Sequence, residues 1–171
     1  MKKAIFLDRD GVINELSNSL QTQSPRSLKS LKLKKHLIQV AKYLKTRKYL
    51  LIMITNQPDV SRKIISKSSV EKINKYIKQK IQLDDIFICY SKDDKSFRRK
   101  PNPGMLLEAK KKWNISFSKS YLIGDREKDI KAGKSVGVKT ILIPNKKKKP
   151  LIKIKSKFTI NSLKQVIKLI K

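Results

Sequence analysis

The sequence predicts an α/β fold built on a parallel sheet, and two patterns carry that expectation. Short continuous apolar runs recur along the 171 residues, and segments with helical spacing separate them. A continuous run, unlike an alternating one, suits a strand covered on both faces. Alternation of strand and helix then selects parallel pairing through right-handed crossovers.

The first run is Ala4-Ile5-Phe6-Leu7. Further strands are expected at 49–54, 86–89, 121–123 and 140–143, with a short last one at 158–160. Between the first two, Leu33, Leu37, Val40, Ala41 and Leu44 share one face of a helix. Ser68-Ser69-Val70-Glu71 reads as a capping box, which offers acceptors to the unpaired N–H groups of a first turn. It opens a helix whose buried stripe is Val70, Ile73, Ile77 and Ile81. Residues 105–113, 129–136 and 162–170 are also expected to be helical. Residues 15–32, rich in Ser, Gln and Lys, read as a long loop or small insertion, and the Lys-rich stretch 144–157 as another. Neither has the length of a second domain, so 1–171 reads as a single domain with one sizeable core.

The formal net charge is +30, from 43 Lys and Arg against 13 Asp and Glu. Such a balance points to an anionic partner: nucleic acid, an acidic membrane or a phosphorylated metabolite. Only seven of the 43 are Arg, and the lysines are spread over nearly every segment. Dispersed Lys without Arg fits compositional drift on a solvated surface better than a built nucleic-acid interface. One cysteine, Cys89, excludes an intrachain disulfide and suits a cytoplasmic setting. Lys2-Lys3 precede an apolar run that Asp8 ends after four residues, too short for a signal-peptide core. No stretch approaches the length of a membrane span, so no membrane partner is expected. Self-repulsion favours a monomer.

Acidic residues are scarce, so their positions are informative. Asp8 and Asp10 follow the first strand directly, Asp125 follows the strand ending at Ile123, and Asp129 comes four residues later. Thr55-Asn56 follows the strand ending at Ile54. Ligands of open parallel sheets bind at the carboxyl ends of strands, so these groups would collect at one edge. Taken singly, an Asp after a strand is commonly a turn or cap residue. Taken together, converging carboxylates would repel one another, and a divalent cation relieves them. An all-oxygen donor set favours Mg²⁺.

Phe6-Leu7-Asp8-Arg9-Asp10-Gly11-Val12-Ile13-Asn14 resembles the first motif of the haloacid dehalogenase (HAD) superfamily of phosphatases. Thr55-Asn56-Gln57, Arg99-Lys100-Pro101-Asn102-Pro103-Gly104-Met105 and Gly124-Asp125-Arg126-Glu127-Lys128-Asp129 resemble its second, third and fourth. Within the superfamily, the set is most similar to the heptose bisphosphatase and histidinol-phosphatase branch.

The resemblance implies a Rossmann-like three-layer sandwich, with no large cap domain because the inserts near 15–32 and 58–67 are short. It implies a Mg²⁺-dependent phosphomonoesterase with Asp8 as nucleophile and Asp10 as general acid and base. Asp8, Asp125 and the Asp10 carbonyl would hold the metal. Thr55, Asn56 and Gln57 would lie at the substrate, with Arg62 and Arg99 as basic contacts. Lys100 would offset charge, Asp129 would orient Lys100 or a metal-bound water, and Gly124 would support the fourth motif.

The implied substrate is a small sugar phosphate such as D-glycero-D-manno-heptose 1,7-bisphosphate, with histidinol phosphate as an alternative. A polynucleotide 3′-phosphatase would use the same residues and suit the charge, but aromatic residues make up only 6% and are not interleaved with a basic segment. A binding module without activity would require a substituted catalytic position, and none is substituted. Many members of the branch bind a structural zinc through C-x-H … C-x-C-R-K. Here Cys89 is followed by Ser91, Ser96 and Arg98 at the other ligand positions, so no zinc is expected. Residues 146–149, the densest basic run, read as a solvated loop or a positive rim on the active-site side. His36 and Trp113 read as surface and packing residues.

Overall fold

Every second residue of a strand faces the same way, and the first apolar run divides accordingly. In the computed structural model, which describes residues 1–144 and 153–170, that run is strand β1 (Ala4–Leu7). Ile5 and Leu7 point into one apolar core, Ala4 and Phe6 into another. A strand that serves two cores needs an unbroken apolar sequence, which is what the chain supplies.

The other strands are β2 (Leu50–Asn56), β3 (Asp85–Cys89), β4 (Tyr121–Gly124), β5 (Lys139–Leu142) and β6 (Phe158–Thr159). They join in the order β3-β2-β1-β4-β5-β6, with every pairing parallel. Helices α1 (Leu37–Thr46), α2 (Lys67–Ile81) and α5 (Val166–Leu169) put Leu37, Leu44, Ile73, Ile77 and Val166 into the core with Ile5 and Leu7. Helices α3 (Gly104–Trp113) and α4 (Glu127–Ser135) put Met105, Leu106, Ala109 and Ala132 against Phe6, Ile52 and Ile54. The result is the expected three-layer sandwich. The segments joining β1 to α1 and β2 to α2 contain no strand or helix beyond isolated bridges and turns, so no large cap covers the sheet edge.

Several helix starts differ from expectation, α4 beginning two residues early and α5 four residues late, and two of the differences have a visible cause. Helix α1 begins at Leu37, after His36 at φ 66°, and Leu33 instead bridges Asn14 across an antiparallel contact while still packing on the core. The cap of α2 is Ser66, two residues before the expected box, and its Oγ accepts the Ser69 N–H at 3.1 Å. Ser66, Ser68 and Ser69 stand close together, and the one with extended backbone just before Lys67 takes the cap, which leaves the other two inside the helix. The basic run at 146–149 lies outside the described residues. No helix among the described residues is long and apolar enough to cross a membrane.

The order of the strands places the site. β1 is flanked by β2 on one side and β4 on the other, so the crossovers leave it in opposite directions. The loops after β1 and β4 separate there and leave a crevice at their carboxyl ends.

The buried stripe of α2 should dominate its stability. Ile73→Ala is expected to cost about 2–5 kcal/mol in urea unfolding, against less than about 0.5 kcal/mol for its exposed neighbour Lys72→Ala.

Candidate active site

The strand ends bring the carboxylates together, and two glycines make the approach possible. Asp8 continues the ladder of β1, its N–H donating to the Ile123 carbonyl at 3.0 Å. The chain then turns tightly through Gly11 at φ +96°. A Cβ there would lie 2.3 Å from Asp125 Oδ2, so only glycine lets this turn rest against Asp125. Gly124 does the same for the next element. A Cβ on it would lie 2.2 Å from Asp129 Cβ, and its absence lets the first turn of α4 fold back on β4. Asp129 then caps that turn by accepting the Arg126 N–H at 3.1 Å.

Lys100 joins these parts. Its ammonium lies 2.7 Å from Asp8 Oδ1, 2.7 Å from Asp129 Oδ1 and 3.0 Å from the Ile54 carbonyl, with the side chain 1% exposed. Asn56, at the end of β2, clamps its backbone: Nδ2 donates to the Lys100 carbonyl at 3.0 Å and Oδ1 accepts the Lys100 N–H at 3.1 Å. Burial alone would lower the pKa of Lys100, but Asp129 and Asp8 outweigh it and hold the ammonium above its usual value.

Asp10 has a different environment. Oδ1 accepts from Arg9 Nε at 3.1 Å and Asn14 Nδ2 at 3.0 Å. Oδ2 accepts from Arg9 Nη2 at 3.0 Å, Ser24 Oγ at 2.7 Å and Gln57 Nε2 at 2.8 Å. Arg9 is wholly buried and is itself held by Asn74 and Gln57. Burial would raise the Asp10 carboxyl, yet the Arg9 guanidinium and these donors hold it below the usual range.

Asp8 and Asp125 shift the other way. Burial raises Asp8, with Lys100 opposing and Asp129 adding to the rise. Burial, Asp8 and Asp129 push Asp125 up to about 8. Its Oδ1 is buried without a hydrogen-bond partner. Oxygens of Asp8, Asp125 and Asp129 lie within 4.8 Å of one another. Asp129 has both oxygens engaged, Oδ1 by Lys100 and Oδ2 by the Arg126 N–H, whereas Lys100 takes only Oδ1 of Asp8, so Asp8 and Asp125 are the pair left to meet a cation. An orphaned carboxylate oxygen among like charges fits a hard divalent ion.

Beside these groups opens a pocket of about 340 Å³. Asp8, Asp10 and Asn56 line it together with Arg62, Arg126 and Lys128. The remaining wall is the loop expected at 15–32. Three consecutive residues of that loop each reach a different segment: Thr22 Oγ1 donates to Asp59, Gln23 Oε1 accepts from Arg126, and Ser24 reaches Asp10.

Two of the expected substrate contacts are engaged elsewhere in this structure. Gln57 is buried, its amide engaged by Asp10, Thr55 Oγ1 and Arg9, so it braces Asp10 and does not line the pocket. Arg99 turns away: Nε donates to Asp94 at 2.7 Å and Nη1 to the Ser91 carbonyl at 3.0 Å. Thr55 and Lys100 lie buried beneath the pocket floor. Arg62 does line the pocket, paired with Asp59 at 3.2 Å. Cys89 is buried with Sγ 3.8 Å from Ser96 Oγ, and a single thiol among hydroxyls is not a tetrahedral zinc donor set. Arg9, Ser24, Gln23, Arg126 and Lys128 were not singled out from the sequence. The only signal available was that Arg9, Arg126 and Lys128 stand inside quoted motifs.

Residues 97–166 match the HAD-hydrolase-like family model. The D-glycero-beta-D-manno-heptose-1,7-bisphosphate 7-phosphatase of Helicobacter pylori is 32% identical, over 99% of this chain and 98% of that protein. The chain belongs to the HAD-like phosphatase family. Another member, the D-glycero-alpha-D-manno-heptose-1,7-bisphosphate 7-phosphatase of Campylobacter jejuni, is 32% identical over 86% of this chain and 85% of its own. The fold is shared with the D,D-heptose 1,7-bisphosphate phosphatase of B. bronchiseptica, solved with magnesium and phosphate. That structure has a TM-score of 0.85 at 22% identity, covering 98% of this chain and 97% of that one.

Asp125 gives a pH signature to the metal-free protein. It holds a proton up to about pH 8 when folded, but ionises near about 3.9 in an unfolded chain. Between those values the folded state carries the extra proton, so this group makes stability fall as pH rises. Asp125→Asn is expected to flatten that decline and raise the metal-free Tm at pH 8 above wild type, with little change at pH 4. Thermal scans at the two pH values check it.

Proposed function

We propose that this chain is a Mg²⁺-dependent phosphomonoesterase that removes the 7-phosphate of a D-glycero-D-manno-heptose 1,7-bisphosphate through an aspartyl-phosphate on Asp8. The observation that carries the chemistry is the engagement of Asp8. Lys100 holds Oδ1 at 2.7 Å, which leaves Oδ2 as the attacking atom at the pocket. The substrate rests on relatives of that printed name, which match this chain over nearly its full length.

Oδ2 of Asp8 attacks phosphorus in line, and the bond from phosphorus to the sugar oxygen breaks. Asp10 gives its proton to the departing oxygen. Water then attacks the aspartyl-phosphate, Asp10 takes the proton from that water, and the bond from phosphorus to Oδ2 breaks to release orthophosphate. Asp10 must therefore alternate between acid and carboxylate. The carboxylate is favoured by Arg9, and Ser24, whose hydroxyl can either donate or accept, is the neighbour able to follow the change.

The carboxylates of Asp8 and Asp125, with the Asp10 carbonyl, would hold Mg²⁺, which when bound supplies positive charge to the phosphoryl oxygens. Asn56 acts mainly through Lys100, whose backbone it fixes. Arg62 and Arg126, held by Asp59 and Gln23, stand where a second anionic group of the substrate would reach. The pocket suits a small substrate better than a polymer end, and the chain works as a cytoplasmic monomer without structural zinc.

Phosphate release with Mg²⁺ should be compared for heptose 1,7-bisphosphate, histidinol phosphate, other sugar phosphates and a 3′-phosphorylated oligonucleotide. The heptose bisphosphate is expected to have the highest kcat/KM. Asp8→Asn should lose turnover by about 10⁴-fold or more, as other nucleophile deletions do. A preference for the oligonucleotide, weakening steeply with salt, would replace this substrate assignment.

A further inference from the structure

A parallel sheet gathers residues at both of its edges. The carboxyl edge holds the acids of the pocket, and the amino edge holds lysines. Lys2 and Lys3 precede β1, Lys48 precedes β2, Lys119 precedes β4 and Lys139 opens β5. These four strands are contiguous, in the order β2-β1-β4-β5. Neighbouring strands lie about 4.8 Å apart, so the lysines form one row about 14 Å across. The ladder fixes that row: the Lys3 carbonyl accepts the Leu50 N–H at 2.9 Å, and the Lys139 N–H donates to the Ser120 carbonyl at 3.2 Å. Lysines dispersed along the sequence are therefore concentrated here in space.

The row has no acid within it. Among the described residues none of the five lysines makes an ion pair. Asp84 and Asp85, at the start of β3, are taken by Lys45 at 2.6 Å and Lys112 at 2.8 Å. Aromatic rings hold three of the five in place. Lys3 Nζ lies 4.2 Å from the ring centre of Tyr49, Lys2 Nζ 5.1 Å from that of Trp113 and Lys139 Nζ 5.2 Å from that of Tyr121. An ammonium already held over a ring loses less freedom when an anion binds it. Beside Lys2, Lys3, Lys48 and Lys119 opens a cleft of about 540 Å³, whose apolar lining is Met1 and Leu50.

Shape narrows the choice of anion. An acidic membrane needs a broad face, and this is one edge of a sheet with a concave centre. A rigid duplex is too wide for the cleft. A single strand bends to follow the row, offers one negative charge per nucleotide, and can set a base against Met1 and Leu50.

We propose that the amino edge of the sheet binds single-stranded nucleic acid, with Lys2, Lys3, Lys48, Lys119 and Lys139 on its phosphates. The strand is not a substrate, because Lys3 lies about 16 Å from Asp8 along β1, at the opposite edge. Binding reads no sequence, since lysines meet phosphates as point charges and cover the rings that bases would stack on. None of this depends on the reading of Asp8.

The probe is a fluorescent oligothymidylate without terminal phosphate, followed by anisotropy over a salt series. One variant combines Lys2→Gln, Lys48→Gln, Lys119→Gln and Lys139→Gln. The control combines Lys72→Gln, Lys75→Gln, Lys78→Gln and Lys80→Gln, which removes the same charge from exposed positions of α2. The edge variant is expected to weaken binding about tenfold or more and to lower the slope of log affinity against log salt by about 3. The control should stay within about threefold of wild type, as should Arg at the four edge positions, which keeps the charge. Lys48 and Lys119 cover no ring among the described residues. The double variant Lys48→Gln, Lys119→Gln thus tests the row without disturbing packing, and should lower the slope by about 1.4.

Equal losses in the edge variant and the control would overturn the proposal, because the charge would then act diffusely. So would a wild-type protein that leaves the oligonucleotide unbound at low salt. An edge variant that loses binding to phosphatidylglycerol vesicles while holding the oligonucleotide as wild type does would assign the surface to a membrane instead.

Discussion

The ammonium of Lys100 sits between two buried carboxylates, and the remainder of the site is arranged to keep it there. Burial and the neighbouring Asp129 raise the pKa of Asp8, and the Lys100 ammonium opposes that rise. Four parts of the chain deliver the arrangement. β1 ends in Asp8, β2 offers the Ile54 carbonyl and the Asn56 clamp, the third motif supplies Lys100, and the first turn of α4 supplies Asp129. Removing one partner from such a buried group strands the others, at a cost of roughly 3–5 kcal/mol. Gly11 and Gly124 matter for the same reason, since a side chain at either would push Asp125 or Asp129 out of place.

Two carboxylates on one turn, Asp8 and Asp10, are both removed from water yet shift in opposite directions. The difference lies in their neighbours. Asp8 shares its surroundings with Asp129 and Asp125, while Asp10 receives five hydrogen bonds, two of them from Arg9. Pairs of acids pushed apart in this way are how one site supplies both a nucleophile and a proton carrier. Arg9, between them in sequence, does not face the pocket at all. It lies beneath, fully buried, and fixes the second carboxylate relative to the first.

The sheet and the positions of Asp8, Asp10, Asp125, Asp129 and Lys100 were legible in the sequence, whereas the single core expected is divided in two by the sheet. Strand ends are marked by apolar runs that stop at polar residues, and a parallel sheet gathers those ends at one edge. The direction of individual side chains was less legible. Gln57 follows the end of β2 and so lies near the site, but proximity along the chain says nothing about whether its amide faces substrate or Asp10. Arg99 adjoins Lys100, yet neighbouring residues point apart, and this one ties down its own loop. The 22–24 wall was not legible. Ser, Thr and Gln are ordinary loop residues, and their contacts lie 14, 37 and 103 positions away. No local spacing encodes such distances. The capping serine of α2 was missed for a milder reason, since several serines compete for one cap.

The charge of the chain and the charge of its site obey different constraints. Among the described residues Lys100 is the only buried lysine, whereas five acids, Asp8, Asp10, Asp59, Asp125 and Asp129, are buried, and the first three of them line the pocket. The described lysines other than Lys100 thus lie outside the buried interior, while the interior of the site is acidic. A diffuse positive exterior concentrates anions near the protein, with a range set by salt. It cannot choose among them, because most of its lysines present no shaped partner. Choice must come at short range, where Arg62, Arg126 and Lys128 face carboxylates across a cavity of about 340 Å³. The site therefore presents acidic groups to whatever enters it, a local character that the net charge of +30 conceals.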